Sequence, residues 1–366
     1  MQLLKFELYK IFKQKSIWIT LIILLGMSYL ILDYPYDPNV EKELYKKWEG
    51  PITEEKVKLA ESEYEVLQSK GTQHSVDPGD NYTDTKFIEP QILEKIMMVD
   101  TIKNSVTQRL NELEGENSVK ANVEKNMLEK INLNYFSYFT GPSQIVIFVA
   151  DGGFMVLGVM LLLGLSPIYS NEYSSNVDNY IFSSKKGRKS LAWAKMGASL
   201  IYTLIVVFVW EMFSLLMNFL QHGNDGWSTP IQFLTAPYYR DSPYSFTALE
   251  YHFVQLGIHL LAAFAFALLI VLISSISKNS LIAFFVSLSI FAVPIIIDGV
   301  QWLETILAFS YTEVLRVQFL FNEFKTVDVF GYPISYPVFA CLIMIMLLLI
   351  SIKTVLQIIK HKEITS

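Results

Sequence analysis

Residues 144–168 read QIVIFVADGGFMVLGVMLLLGLSPI, and Asp151 is the one ionisable side chain in the run. A helix needs about 20 mostly apolar residues to cross the hydrocarbon core of a bilayer. This stretch meets that length and carries no basic residue, so it reads as a membrane span. Five more segments read the same way: residues 16–33, 192–220, 253–276, 281–300 and 338–359. Composition agrees. Apolar residues make up 52% of the 366 positions and charged residues 17%, against about 25% charged in a soluble domain. The expected fold class is an all-α polytopic membrane protein with six transmembrane helices.

A signal peptide is the rival reading of the first span, because Lys5, Lys10, Lys13 and Lys15 precede it. It is set aside because no small-residue cleavage site follows, and Asp33-Tyr34-Pro35-Tyr36 is a poor one. Basic residues set the orientation. The N-terminal lysines, the cluster Lys185, Lys186, Arg188 and Lys189, Lys278 in the turn after the fourth span, and Lys353, Lys360 and Lys362 in the tail fall on one side of a six-span chain. That side is expected to be the cytoplasm. Residues 1–15 are then a cytoplasmic amphipathic helix and 360–366 a cytoplasmic tail. Residues 34–143, 221–252 and 301–337 lie outside.

The 34–143 insertion holds 20 of the 35 acids and 13 of the 29 basic residues, too polar for lipid. Thr53-Glu54-Glu55-Lys56 opens a helix, with threonine as N-cap and acids in the first turn. Val57, Ala60, Tyr64 and Leu67 recur at helical spacing, and Gly71 closes it. A second stripe runs through Ile88, Ile92, Ile96, Val99, Ile102, Val106, Leu110 and Leu113, and Val119, Val123, Met127 and Ile131 follow Gly115. This is a small extracellular helical domain. An apolar stripe at this spacing reads as packed core before it reads as a binding groove. His74 in its turn-rich loop reads as a solvated histidine before it reads as a metal ligand. The single cysteine, Cys341, allows no disulfide framework.

The loop after the second span, residues 169–191, contains Asn171-Glu172-Tyr173-Ser174-Ser175-Asn176-Val177-Asp178-Asn179-Tyr180-Ile181-Phe182-Ser183-Ser184-Lys185-Lys186-Gly187-Arg188. It is a short amphipathic element: Tyr180, Ile181 and Phe182 suit the membrane interface, and the basic cluster faces water or anionic lipid headgroups. The stretch resembles the first cytoplasmic loop of the membrane subunits of type-2 ABC transporters, the exporter-type permeases. Their pattern is Glu-x-x-x-Gly-Thr, a leucine-rich run, Ser-x-Pro-x-Ser-Arg-x-x-Ile, and a lysine four residues on. Here the glutamate falls on Glu172, the apolar run on Tyr180 to Phe182, the serine on Ser183, the arginine on Arg188, the isoleucine on Leu191 and the lysine on Lys195. Asn176-Val177 stands in place of Gly-Thr, and Lys185 in place of the proline.

The opening Leu3-Leu4-Lys5-Phe6-Glu7-Leu8-Tyr9-Lys10 also looks like the interface helix of such permeases, and Ile306-Leu307 and Val314-Leu315 like re-entrant helices before the last span. The resemblance implies a permease that works with two ABC ATPase subunits and a second copy or sister permease. The loop would dock on the ATPase through Glu172, Tyr180, Phe182, Arg188 and Lys195. ATP and Mg would be bound by the partner chain, since no Gly-x-x-x-x-Gly-Lys-Ser/Thr phosphate loop occurs here. This chain itself is not expected to be an enzyme or to bind cofactor, metal or nucleic acid.

Charged groups inside spans are rare and face protein or water. Glu211, His259, Asp151 and Asp298 are therefore the residues expected along a translocation path or in interhelical contacts. The function read from the sequence is export of an amphipathic substrate (a peptide, antibiotic or lipid) across a bacterial plasma membrane. A non-transporting antimicrobial-peptide sensing and immunity permease is one alternative. An ion-coupled carrier is another, which an internal repeat would favour; none is visible.

Overall fold

The computed structural model describes residues 2–31, 38–69, 85–175, 177, 187–234, 239–297, 303 and 306–362. The expected all-α architecture holds in its coarse form: among the described residues there are fourteen α-helices and two small two-stranded sheets.

Helix α1 (Gln2–Phe12) meets α2 (Lys15–Ile31) at a bend of 58°. The indole of Trp18 donates to the Phe12 carbonyl at 2.8 Å and so occupies an acceptor that the bend leaves open. Helix α7 (Thr140–Leu165) leads into α8 (Pro167–Ser174). Pro167 has no N–H to continue the ladder, and Ser274 fills the junction from another helix. Its hydroxyl donates to the Ser166 carbonyl at 2.6 Å and accepts from the backbone N–H groups of Tyr169 and Ser170 at 3.1 and 3.2 Å.

Helix α9 (Gly187–His222) and helix α10 (Ala248–Ile276) follow. Thr247 and Glu250 form a reciprocal capping box at the start of α10. Helix α10 is the axis of the bundle: it packs against α7, α8 and α9 and against helices described below. Ala262, Ala263, Phe266, Ala267, Ile270 and Val271 are fully buried there. A helix apolar on every side is one surrounded by others. Small residues let neighbours close in: a Cβ on Gly164 of α7 would lie 2.5 Å from the Tyr202 ring of α9.

Four helical runs are long and apolar enough to cross a membrane: Thr140–Ser174, Arg188–His222, Ala248–Ile276 and Tyr336–His361. The bent α1–α2 pair makes a fifth if it is one broken span. The expected fifth span ends early. Helix α11 (Ser280–Ile296) has 17 residues with Pro294 inside, and residues 298–300 lie outside the described set. Thus the structure describes a membrane-spanning chain with four to five candidate spans, where the sequence suggests six.

The polar insertion contains α3 (Pro38–Trp48), α4 (Glu54–Ser69), α5 (Thr85–Leu113) and α6 (Val119–Leu128). The last three match the sequence reading closely. Helix α3 was not foreseen, nor was the antiparallel pairing of β1 (Gly50–Pro51) with β2 (Tyr135–Phe136). Tyr45, Trp48, Ile92, Ile96, Val99 and Phe136 form its core. That core extends past the insertion to Phe233, in the short 3₁₀ helix Ile231–Phe233 of the 221–252 loop.

Of the two stretches expected to be re-entrant helices, Ile306-Leu307 is helical and Val314-Leu315 ends α12 (Tyr311–Leu315), which is only five residues long; α13 (Gln318–Phe321), of four residues, follows. A β-hairpin follows, β3 (Thr326–Val329) against β4 (Tyr332–Ser335). Its two-residue turn holds Phe330 and Gly331 at φ 52° and 86°, the sign that fits a tight hairpin. The last helix is α14 (Tyr336–His361).

Candidate functional site

Three helices that are distant in sequence place four charged side chains together. Helix α1 contributes Glu7 and Lys10, one turn apart. Helix α8 contributes Glu172, and α9 contributes Lys195 from its N-terminal part. The Lys195 ammonium lies 3.0 Å from Glu7 Oε2, 2.8 Å from Glu172 Oε1 and 2.6 Å from the Ile168 carbonyl. The Lys10 ammonium lies 2.7 Å from Glu7 Oε2 and 2.6 Å from Glu172 Oε1. Two acids and two amines thus alternate in a closed, neutral ring.

Burial is graded across the ring. Lys195 and Glu7 are 0% and 2% exposed, Glu172 14% and Lys10 35%. Lys195 also sits over the Tyr169 ring at 4.9 Å. All three donors of its ammonium therefore have acceptors, which is the condition under which a buried lysine is tolerated.

Glu7, Lys10 and Glu172 of the ring line an open cavity of about 660 Å³, together with Leu3, Phe6, Lys13, Pro167, Asn171 and Leu191 among others. Arg188 donates to the Lys360 carbonyl of α14 at 3.3 Å. The structure thus brings Glu172 and Lys195 into contact, with Arg188 near the chain's C-terminal end. Tyr180 and Phe182 lie outside the described residues, as do Ser183 to Lys186. Glu7 and Lys10 were not singled out from the sequence. Their signal was present as two opposite charges one turn apart on a mostly apolar helix, but nothing in the sequence said what they face.

A second group lies in the half of the bundle next to the polar insertion. Glu211 of α9 is buried, with His259 Nδ1 at 3.5 Å and His252 Nε2 at 3.8 Å, both from α10. His252 was missed, though it stands seven residues before His259, two helical turns, and so shares its face. Asp151 is apart from this group: it is exposed and accepts from the Gln318 side chain of α13 at 2.9 Å. Asp298 lies outside the described residues. Among the described residues no cluster of three His, Cys, Asp or Glu side chains is arranged to hold a metal ion.

Compared with family models, with curated proteins and with solved structures, the chain matches none.

Proposed function

We propose that the chain is the transmembrane subunit of an ATP-driven exporter of the type-2 ABC kind, moving an amphipathic substrate across a bacterial plasma membrane. In this reading two separate ATPase chains bind ATP and Mg, and a second permease completes the path. The observation that carries it is the Glu7–Lys10–Glu172–Lys195 ring. The spacing from Glu172 to Lys195 is the feature of the loop that a topology signal alone does not account for, and these two residues bind each other and the N-terminal helix.

The ring changes the role we assign to Glu172 and Lys195. Buried in an intrachain network, they position the loop, whereas Tyr180, Phe182 and Arg188 are left to touch the ATPase. A push on the loop would then reach α1, α8 and α9 together, because one set of ion pairs joins all three. Movement of rigid helices about such a junction is a recognised way to transmit a distant event.

The test is affinity purification of the tagged chain from its native host. An ABC ATPase is expected to co-purify. The double variant Tyr180→Ala, Phe182→Ala should lose it while the purified chain keeps its unfolding profile. If no ATPase co-purifies with the wild type, or the double variant retains it fully, the coupling reading fails.

A further inference from the structure

The carboxylate of Glu211 is 3% exposed, and neither oxygen accepts a hydrogen bond from any described residue. The two histidines beside it do not fill that need. His259 Nε2 lies 2.9 Å from the Leu315 carbonyl. A carbonyl only accepts, so this nitrogen carries the proton. Its Nδ1 lies 3.5 Å from Glu211 Oε1, at the outer edge of hydrogen-bond reach. His252 Nε2 is 3.8 Å from Oε2, beyond hydrogen-bond reach. A buried carboxylate without donors is costly, and a donor from outside the chain would relieve it.

The same carboxylate lines a cavity of about 600 Å³ between α9 and α10. Phe208, Trp227, Phe253 and Leu260 help to form its walls. Phe208 and Phe253 are 61% and 62% exposed on spanning helices, so the cavity opens sideways toward hydrocarbon. Asn224 and Trp227 lie at its end near the polar insertion. From Glu211 the wall runs seven residues down α9 to Leu204, about 10 Å at 1.5 Å per residue. It is polar and anionic at one end and apolar for the rest.

We propose that this cavity binds an amphiphilic primary amine: an ammonium head on a hydrocarbon chain, entering from the bilayer. The head has three N–H donors, and Glu211, the one carboxylate in the lining, has two oxygens without a hydrogen-bond partner among the described residues. Trp227, whose ring lies 5.6 Å from that of His252, lines the same cavity and would offer the head an aromatic neighbour, and the hydrocarbon chain would lie along Leu256 and Leu260. A phospholipid amine fits poorly, because its phosphate would approach Glu211 and no lysine or arginine lines the cavity among the described residues. The occupant is therefore a free amphiphile and not a resident lipid. The inference concerns the isolated chain and needs no ATPase, so it stands or falls separately from the transport reading.

The experiment is calorimetric titration of the full chain in phosphatidylcholine nanodiscs, with empty discs as reference. Dodecylamine, dodecyltrimethylammonium and dodecanol are the probes. Dodecylamine is expected to saturate the protein about tenfold more tightly than either of the others, because only it supplies both charge and donors. Glu211→Gln should bring the amine down to the level of the alcohol. Equal affinity of the three probes for the wild type would overturn the proposal, and this comparison decides even if Glu211→Gln does not fold. Amine binding undiminished in a folded Glu211→Gln would also overturn it. Replacing half the lipid with phosphatidylethanolamine should leave the amine's affinity unchanged; a fall would give the site to that headgroup and overturn the free-amphiphile assignment.

Discussion

Replacing Lys195 by methionine should be among the most damaging single changes in the bundle. The side chain is fully buried and touches three acceptors: Glu7 at 3.0 Å, Glu172 at 2.8 Å and the Ile168 carbonyl at 2.6 Å. Methionine fills much of the same volume, so the loss is electrostatic. The ring passes from two acids and two amines to two acids and one amine. The remaining amine, Lys10, is 35% exposed, while Glu7 is 2% exposed. Removing one partner of a buried ion pair costs about 3–5 kcal/mol because it strands the other charge. At about 1.36 kcal/mol per decade that is roughly two to four powers of ten in the unfolding equilibrium. The assay is equilibrium unfolding of the detergent-solubilised chain. Adding Glu7→Gln removes the stranded charge, so the double variant should recover a large share of the loss. Lys195→Met within about 1 kcal/mol of wild type, or a double variant whose two losses simply add, would refute the idea that the ring acts as one neutral unit.

Arg109→Ala should loosen α6 from α5, since Arg109 binds Glu124 at both oxygens, at 2.6 and 2.9 Å, and Glu124 is buried. The expected cost is about 2 kcal/mol, read as faster proteolysis near Gly115. Burial pushes the Lys95 ammonium down to about 8 from its usual 10.5. Between those values the unfolded chain keeps a proton that the folded chain has lost, so this group makes stability rise with pH across that window. Chemical denaturation of wild type and Lys95→Met from about pH 7 to 10.5 should show that rise only in the wild type; parallel curves would contradict it. Gly164→Val should destabilise by about 1–3 kcal/mol through overpacking on Tyr202, and Tyr202→Leu should restore part of it in thermal unfolding. A cysteine at Ser69 in a Cys341→Ser background should react with an impermeant thiol reagent in intact cells; reaction only after lysis would invert the expected topology.

Four of the expected spans were legible because a long apolar run suits little besides a bilayer, and α4 and α5 because their stripes keep helical spacing over several turns. What escaped depends on partners distant in sequence. Helix α3 is short and carries few apolar residues, and Tyr45 and Trp48 become core only once Phe136 and Phe139 return beside them. The pairing of Gly50 with Phe136 spans 86 residues and involves two residues per strand, far below what period-two alternation can reveal. The hairpin at 326–335 was hidden by a phenylalanine where Asn-Gly would announce the turn. At the charged ring, spacing within the loop pointed to Glu172 and Lys195, but no local pattern says that Glu7 and Lys10 would meet them.

The geometry of α1 carries the last step. It buries Glu7 and Ile11, while Leu3, Phe6 and Tyr9 are 46%, 57% and 56% exposed. A helix on the surface of a soluble protein turns its apolar face inward and its charges to water. Helix α1 does the reverse with its acid: Glu7 points inward onto Lys195, and its large apolar residues point out. That arrangement is stable only if the outer face meets something other than water, as it does for a helix lying in a membrane interface. The 58° bend before α2 is the turn that a helix lying in the interface would need before the chain could cross. The ion ring fixes α1 to the base of α9, and α9 runs unbroken from there to Glu211. Lys195 and Glu211 are separated by sixteen positions, about 24 Å of rigid helix. A displacement of α1 and the loop therefore has a continuous mechanical path to the cavity, whatever partner supplies the displacement.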